Sequence, residues 1–147
     1  MAGPETYSSP FDDLIGTRIV EASGARVVAR LMVTERLHQP TGLTHGGVFA
    51  TVVETVASIG ATVWLGERAR SVAGSRAPSD GSDGDETAVG VSNHTDFLRG
   101  VRSGELTFEA TPLQQGRTLQ TWVVDVTDEN GRRVAHGKVK LANISLP

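Results

Sequence analysis

Cysteine is absent from all 147 residues of this chain, and with it go disulfides, thiolate metal sites and any cysteine nucleophile. Basic charge is also short. Against 17 Asp and Glu stand 14 Lys and Arg, for a net charge of −3. No surplus remains to neutralise a track of phosphates, so nucleic acid is not an expected partner. Aromatic residues make up only 5% of the chain, and Trp64 and Trp122 read as core or subunit-interface residues before ligand-stacking ones. The N-terminal stretch has neither a basic n-region nor an apolar h-region, so no secretory signal is expected and the cytoplasm is the default location. Metal patterns are missing as well. His38, His94 and His136 can be set beside Asp96 or Asp125, but their spacing fits no metal geometry.

One long apolar run is present, from Val48 to Leu65, and it approaches the length of a membrane span. It also contains Glu54. A carboxylate at mid-bilayer costs about 2.5 kcal/mol or more, which favours a helix buried inside a globular domain and argues against a membrane span. The run is apolar on nearly every side, as a core helix is and a surface helix is not. The helix is expected to begin near Gly46, after a loop at 35–45 that holds Pro40 and Gly42, with Thr44 as its N-cap.

The flanking segments read as strands. Residues 18–34 form a predicted hairpin with its turn at Ser23-Gly24, and Val27, Ala29, Leu31 and Val33 share one face of its second strand. Four further strands are expected at roughly 87–98, 103–113, 118–127 and 132–144. The clearest is Glu105 to Thr111, which alternates strictly, and Asn130-Gly131 marks a tight turn before the last strand. Residues 1–10 are expected to be a loose tail, and Pro10 to Ile15 a short turn of helix. Composition changes abruptly after Glu67 to SRAPSDGSDGDE and its neighbours, predicting a mobile Ser/Gly/Asp-rich loop at about 68–86. The length suits one domain, 11–147. Two strands, one apolar helix and four strands make an α+β fold in which an antiparallel sheet curls around a central helix, the far side of which needs a second copy of the chain.

The informative chemistry lies in Gln39-Pro40-Thr41-Gly42-Leu43-Thr44-His45-Gly46-Gly47, followed by Glu54. A helix starting at Gly46 points unpaired N–H groups and a positive dipole end outwards, which suits an oxyanion forming on a carbonyl. Glycines at 46 and 47 let a carbonyl approach the backbone. Glu54 is the only charged residue between Gly46 and Leu65. It could attack a carbonyl itself or activate water. Ser58 follows one turn later on the same face. Each part has a plainer reading: His-Gly-Gly as a simple turn, Glu54 as a structural residue satisfied by backbone groups, Ser58 bonded back to a carbonyl.

Taken together, HQPTGLTHGGVFATVVETVASIGATVWL resembles the central segment of hotdog-fold acyl-CoA thioesterases, in the branch with glutamate on the central helix. One class of 4-hydroxybenzoyl-CoA thioesterase and the proofreading thioesterase of enterobactin synthesis belong there; the phenylacetate-pathway thioesterases are more distant and use aspartate. The resemblance spans most of residues 11–145. It implies Glu54 as nucleophile or base, and the Gly46 N–H polarising the thioester carbonyl with help from Gln39. His45 would orient the loop or substrate, and Ser58 would assist hydrolysis. Glu54 and Ser58 would face Gln39, His45 and Gly46 of a neighbouring subunit, in a homodimer or homotetramer, so that a monomer is inactive. CoA would be part of the substrate, with no separate cofactor, and would run past Gly47, Asn93, Arg99 and Arg117, the arginines meeting phosphate. The long 70–86 insertion departs from the family pattern at the acyl-pocket rim.

The acyl group could be fatty or aromatic, carried on CoA or on a carrier protein, and a non-catalytic acyl-CoA-binding domain is the contrasting class. Phe49, Val53, Val56 and Phe97 are candidates for lining the acyl pocket.

Overall fold

Helix α2, Gly46–Ala73, organises the molecule. Its residues Val52, Val53, Val56, Ala57, Ala61 and Leu65 are all but inaccessible and recur at the three- and four-residue spacing that puts them on one face. That face lies in a curved six-stranded antiparallel sheet ordered β1-β2-β4-β5-β6-β3, with β1 at Thr17–Ala22, β2 at Val27–Val33, β3 at Glu86–Phe97, β4 at Gly104–Gln115, β5 at Leu119–Thr127 and β6 at Arg133–Ser145. This computed structural model describes residues 7–74 and 86–146. The expected order of elements is the observed one. Val27, Ala29, Leu31 and Val33 share the buried face of β2, joined across the sheet by Leu106, Phe108 and Ala110 of β4 and Trp122, Val124 and Val126 of β5. By length and composition α2 could cross a membrane, but here it is the core helix of the sheet.

Three expectations need correction. The helix continues past Leu65 to Ala73, through residues expected to be loop. Glu67 accepts the Gly24 N–H at 3.1 Å, and Arg68 stacks 4.9 Å from the Trp64 ring centroid while meeting Glu86 at 2.6 Å. The polar composition there belongs to a solvated last turn anchored at the β1–β2 turn and the start of β3. The rest of the expected loop, 75–85, lies outside the described residues, as do residues 1–6 of the expected tail. The tail is also shorter than ten residues. Ser9 caps helix α1, Pro10–Ile15, by accepting the Asp12 N–H, and Asp12 accepts a hydrogen bond from Thr55 at 2.9 Å, fastening α1 to α2. Finally, the α2 N-cap is His45, whose Nδ1 accepts the Gly47 N–H at 2.9 Å. Thr44 is buried one residue earlier, where its N–H and hydroxyl both donate to the Val101 carbonyl.

A buried polar chain ties helix to sheet. The Trp122 indole donates to Gln120 Oε1 at 3.0 Å, and Gln120 Nε2 donates to the Ala61 carbonyl and Asn143 Oδ1. Gln120 is fully buried. Its replacement by leucine strands the indole N–H and is expected to cost about 1–3 kcal/mol, read as a lower urea midpoint at unchanged m-value.

Candidate active site

The loop before α2 is held from both sides. Gly42 turns it with φ of 77°, a conformation that favours glycine. His38 bonds the Arg102 carbonyl at 2.7 Å, and the Arg102 guanidinium reaches back to the Thr41 carbonyl at 3.0 Å. Gln39 bonds Thr41 N–H through its own side chain, so its position is fixed within the loop. His45 takes up the next two amides of the helix, Gly47 N–H through Nδ1 and Val48 N–H through its carbonyl. The Gly46 N–H is left at the positive end of a 28-residue helix, the arrangement that attracts developing negative charge.

A cleft of about 300 Å³ opens there, lined among others by Gln39, Leu43, Gly46, Phe49, Phe97 and Arg99. Phe97 and Phe49 are tilted against each other with ring centroids 6.0 Å apart. A Cβ on Gly46 would come within 2.7 Å of the Phe97 ring, so glycine here admits that ring against the helix start. Val53 and Val56, also candidates for the acyl pocket, are wholly buried in the core and do not line this cleft.

Glu54 sits eight residues along the same helix, about 12 Å from Gly46 at roughly 1.5 Å rise per residue. It is half-buried and faces edge strand β3. Asn93 Nδ2 donates both to Glu54 Oε2, at 3.2 Å, and to the Ala50 carbonyl, at 3.0 Å. Ser58 is half-buried one turn further on. The β3 register slips between Gly90 and Ser92: Gly90 pairs with Leu141, Ser92 with Lys140 and Asn93 with Val139. Val91 is the extra residue of a bulge, and it brings Gly90 and Asn93, an odd number apart, onto the same helix-facing side.

The structure thus gathers Gln39, His45, Gly46, Gly47 and Arg99 at one end of α2, and Glu54, Ser58 and Asn93 in its middle. Arg117 joins neither group. It lies between β4 and β5, at the end of the sheet opposite Arg99, and β5 alone spans about 26 Å at roughly 3.3 Å per residue. Sequence reasoning missed Gly90 and Thr95, which belong with Asn93 beneath Glu54. The available signal was the Asn-x-Thr spacing of a strand face; the bulge that aligns Gly90 with it has no signature in the residues.

A six-stranded antiparallel sheet curled around one long helix is the hotdog fold, here in a chain whose relatives include thioester hydrolases. The profile of the thioesterase superfamily matches residues 41–135, and the chain belongs to that superfamily. A Mycobacterium tuberculosis protein named as an esterase is 38% identical over 141 residues, covering 96% of this chain and 91% of the relative. Its solved structure superposes with a TM-score of 0.81 at 35% identity over 95% of this chain and 99% of that one. A 1,4-dihydroxy-2-naphthoyl-CoA hydrolase of Listeria monocytogenes is 30% identical over 88% of this chain and 92% of its own length. A proofreading thioesterase of Klebsiella pneumoniae is 37% identical over 71% and 64%.

Proposed function

We propose that the protein hydrolyses a fatty acyl- or aroyl-CoA thioester to the free acid and CoA, in a site shared between two subunits. Glu54 either removes a proton from water as its oxygen attacks the thioester carbonyl, or attacks that carbon itself to give an anhydride that water then cleaves. In both routes the carbon–sulfur bond breaks, and the CoA thiolate leaves to become the thiol. The Gly46 N–H, with the Gln39 side chain, stabilises the carbonyl oxygen as it becomes negative. His45 holds that helix start by its cap, and Ser58 assists at the carboxylate. Arg99 and Arg117 are assigned to the CoA side of the substrate, at its phosphates. Arg99 and Arg117 can serve one CoA only from different subunits, since one chain holds them at opposite ends.

The observation that carries the shared site is the separation along α2. A carbonyl carbon must lie about 3 Å from both the attacking group and the oxyanion donor, whereas Glu54 and Gly46 of one chain stand about 12 Å apart. A homodimer whose two-fold axis sets one subunit's Glu54 against the other's Gly46 resolves this, and a pair of such dimers makes the homotetramer. The working location is the cytoplasm, and CoA enters only as part of the substrate, so no separate cofactor is needed.

The test is thiol release from a panel of aliphatic and aromatic acyl-CoAs and acylated carrier protein. Turnover of a CoA ester supports the proposal. Turnover of carrier-bound acyl groups alone moves the substrate to a carrier protein, and binding without any turnover favours an acyl-CoA-binding domain. Co-expression of Glu54→Gln with Gln39→Ala chains separates the shared site from a single-chain one. Each heterodimer is expected to regain one intact site, and a mixture as inactive as either parent would exclude the shared site.

A further inference from the structure

We infer that Asn93 is a positioning residue for the Glu54 carboxylate, held in turn by Thr95, and that it does not contact CoA. This rests on the thioesterase reading of Glu54 and departs from the CoA-side part that the family resemblance implied for Asn93. Both side-chain protons of Asn93 are committed inside the chain, one to Glu54 Oε2 and one to the Ala50 carbonyl. The Asn93 carbonyl oxygen is committed as well, accepting the Thr95 hydroxyl at 2.7 Å. The helix fixes which way the amide points: the Ala50 carbonyl and the Glu54 carboxylate can only accept, so Nδ2 faces them and Oδ1 is left to the Thr95 hydroxyl. Asn93 therefore spans one turn of α2, from the carbonyl of residue 50 to the side chain of residue 54. It selects a single direction for a side chain that otherwise has three rotatable bonds in an apolar stretch.

The strand is shaped for the same end. At Gly90 a Cβ would fall within the Glu54 carboxylate, against Oε1, while Asn93 holds Oε2. β3 thus leaves room for one oxygen and donates to the other. The Val91 bulge exists in the register that makes this possible; without it, Asn93 and Thr95 would lie on the face away from the helix whenever Gly90 faced it. Bulges of this kind re-aim side chains beside reactive groups. A carboxylate that must deliver or receive one bond in a fixed direction loses rate when it wanders, with little effect on how tightly substrate binds.

The test is steady-state hydrolysis of the best panel thioester by Asn93→Ala, Thr95→Val and the double variant, with melting temperatures. Asn93→Ala is expected to lower kcat by about ten- to a hundredfold, the range one hydrogen bond to a charged group is worth. KM should change less than about twofold, as for lost positioning without lost binding. Thr95→Val should lower kcat less, and should add nothing in the Asn93→Ala background, because both act through one amide. A CoA-binding role for Asn93 would instead raise KM at constant kcat, and a merely structural role would lower the melting temperature at constant kcat; either result overturns the inference. Failure of the wild type on every thioester would sink the thioesterase reading alone, because the contact has its own readout. The Asn93 side-chain amide resonances should move in Glu54→Ala protein, and resonances that stay put would show that no such hold exists.

Discussion

Glu54→Gln is expected to lower kcat by about a hundredfold or more, the range attributed to a positioned general base or nucleophile, without loss of folded protein. The substitution keeps the shape of the side chain and one carbonyl oxygen. Asn93 Nδ2 can still donate to that oxygen as it does to Oε2 at 3.2 Å. What disappears is the negative charge and the basic oxygen. That charge sits half-buried in an otherwise apolar stretch of α2, with no cation paired to it among the described residues, so no ion pair is lost with it. The melting temperature should therefore hold as activity falls, the pattern of a group kept for reactivity and not for stability. Thiol-release kinetics and a thermal melt on the same preparation suffice to see it. A kcat that survives the change, with altered stability, would make Glu54 a structural residue and put the acyl-CoA-binding alternative first.

Much of this was legible in the linear order of residues, and what was not has identifiable causes. The alternation of β2 and β4 and the unbroken apolar character of α2 report directly on which side faces the core. Strand ends were consequently read to within about two residues. Gly46 and Glu54 stood out as candidates because each is an odd residue for its place, a glycine opening a helix and a lone charge inside an apolar run, while Gln39 came with the family resemblance. Helix length was misread because Glu67, Arg68 and Arg70 look like loop in composition while being good helix formers; a solvated last turn and a polar loop have the same residues. The cap passed from Thr44 to His45 because Val101 claims both donors of Thr44, a long-range contact that local preference does not encode. The Val91 bulge was invisible for a deeper reason. An inserted residue breaks the two-residue alternation once, here in a strand whose side chains are mostly exposed, and the register it changes is a property of the pair β3–β6 and of neither strand alone. That register decides which β3 residues reach Glu54.

The other large effect lies in the core, where Trp122 meets Gly60. Trp122→Ala is expected to cost about 3–5 kcal/mol, as removal of a fully buried large aromatic does, against a total stability of about 5–15 kcal/mol for such a domain. For a chain of this size that is a fall in melting temperature of about 6–20 °C. The indole is wholly buried, and a Cβ on Gly60 would stand 2.5 Å from its six-membered ring. Helix and sheet therefore approach as closely as they do because one residue is glycine where the other is tryptophan. Gly60→Ala alone should destabilise by about 1–3 kcal/mol, as overpacking does, despite the gain of about 1 kcal/mol in helix propensity. In the Trp122→Ala background the obstacle is gone, and the same Gly60→Ala change should become stabilising. Urea midpoints for the four proteins of this cycle are the measurement. A Gly60→Ala effect of the same sign in both backgrounds would mean that the glycine serves something other than the closeness of α2 to β5.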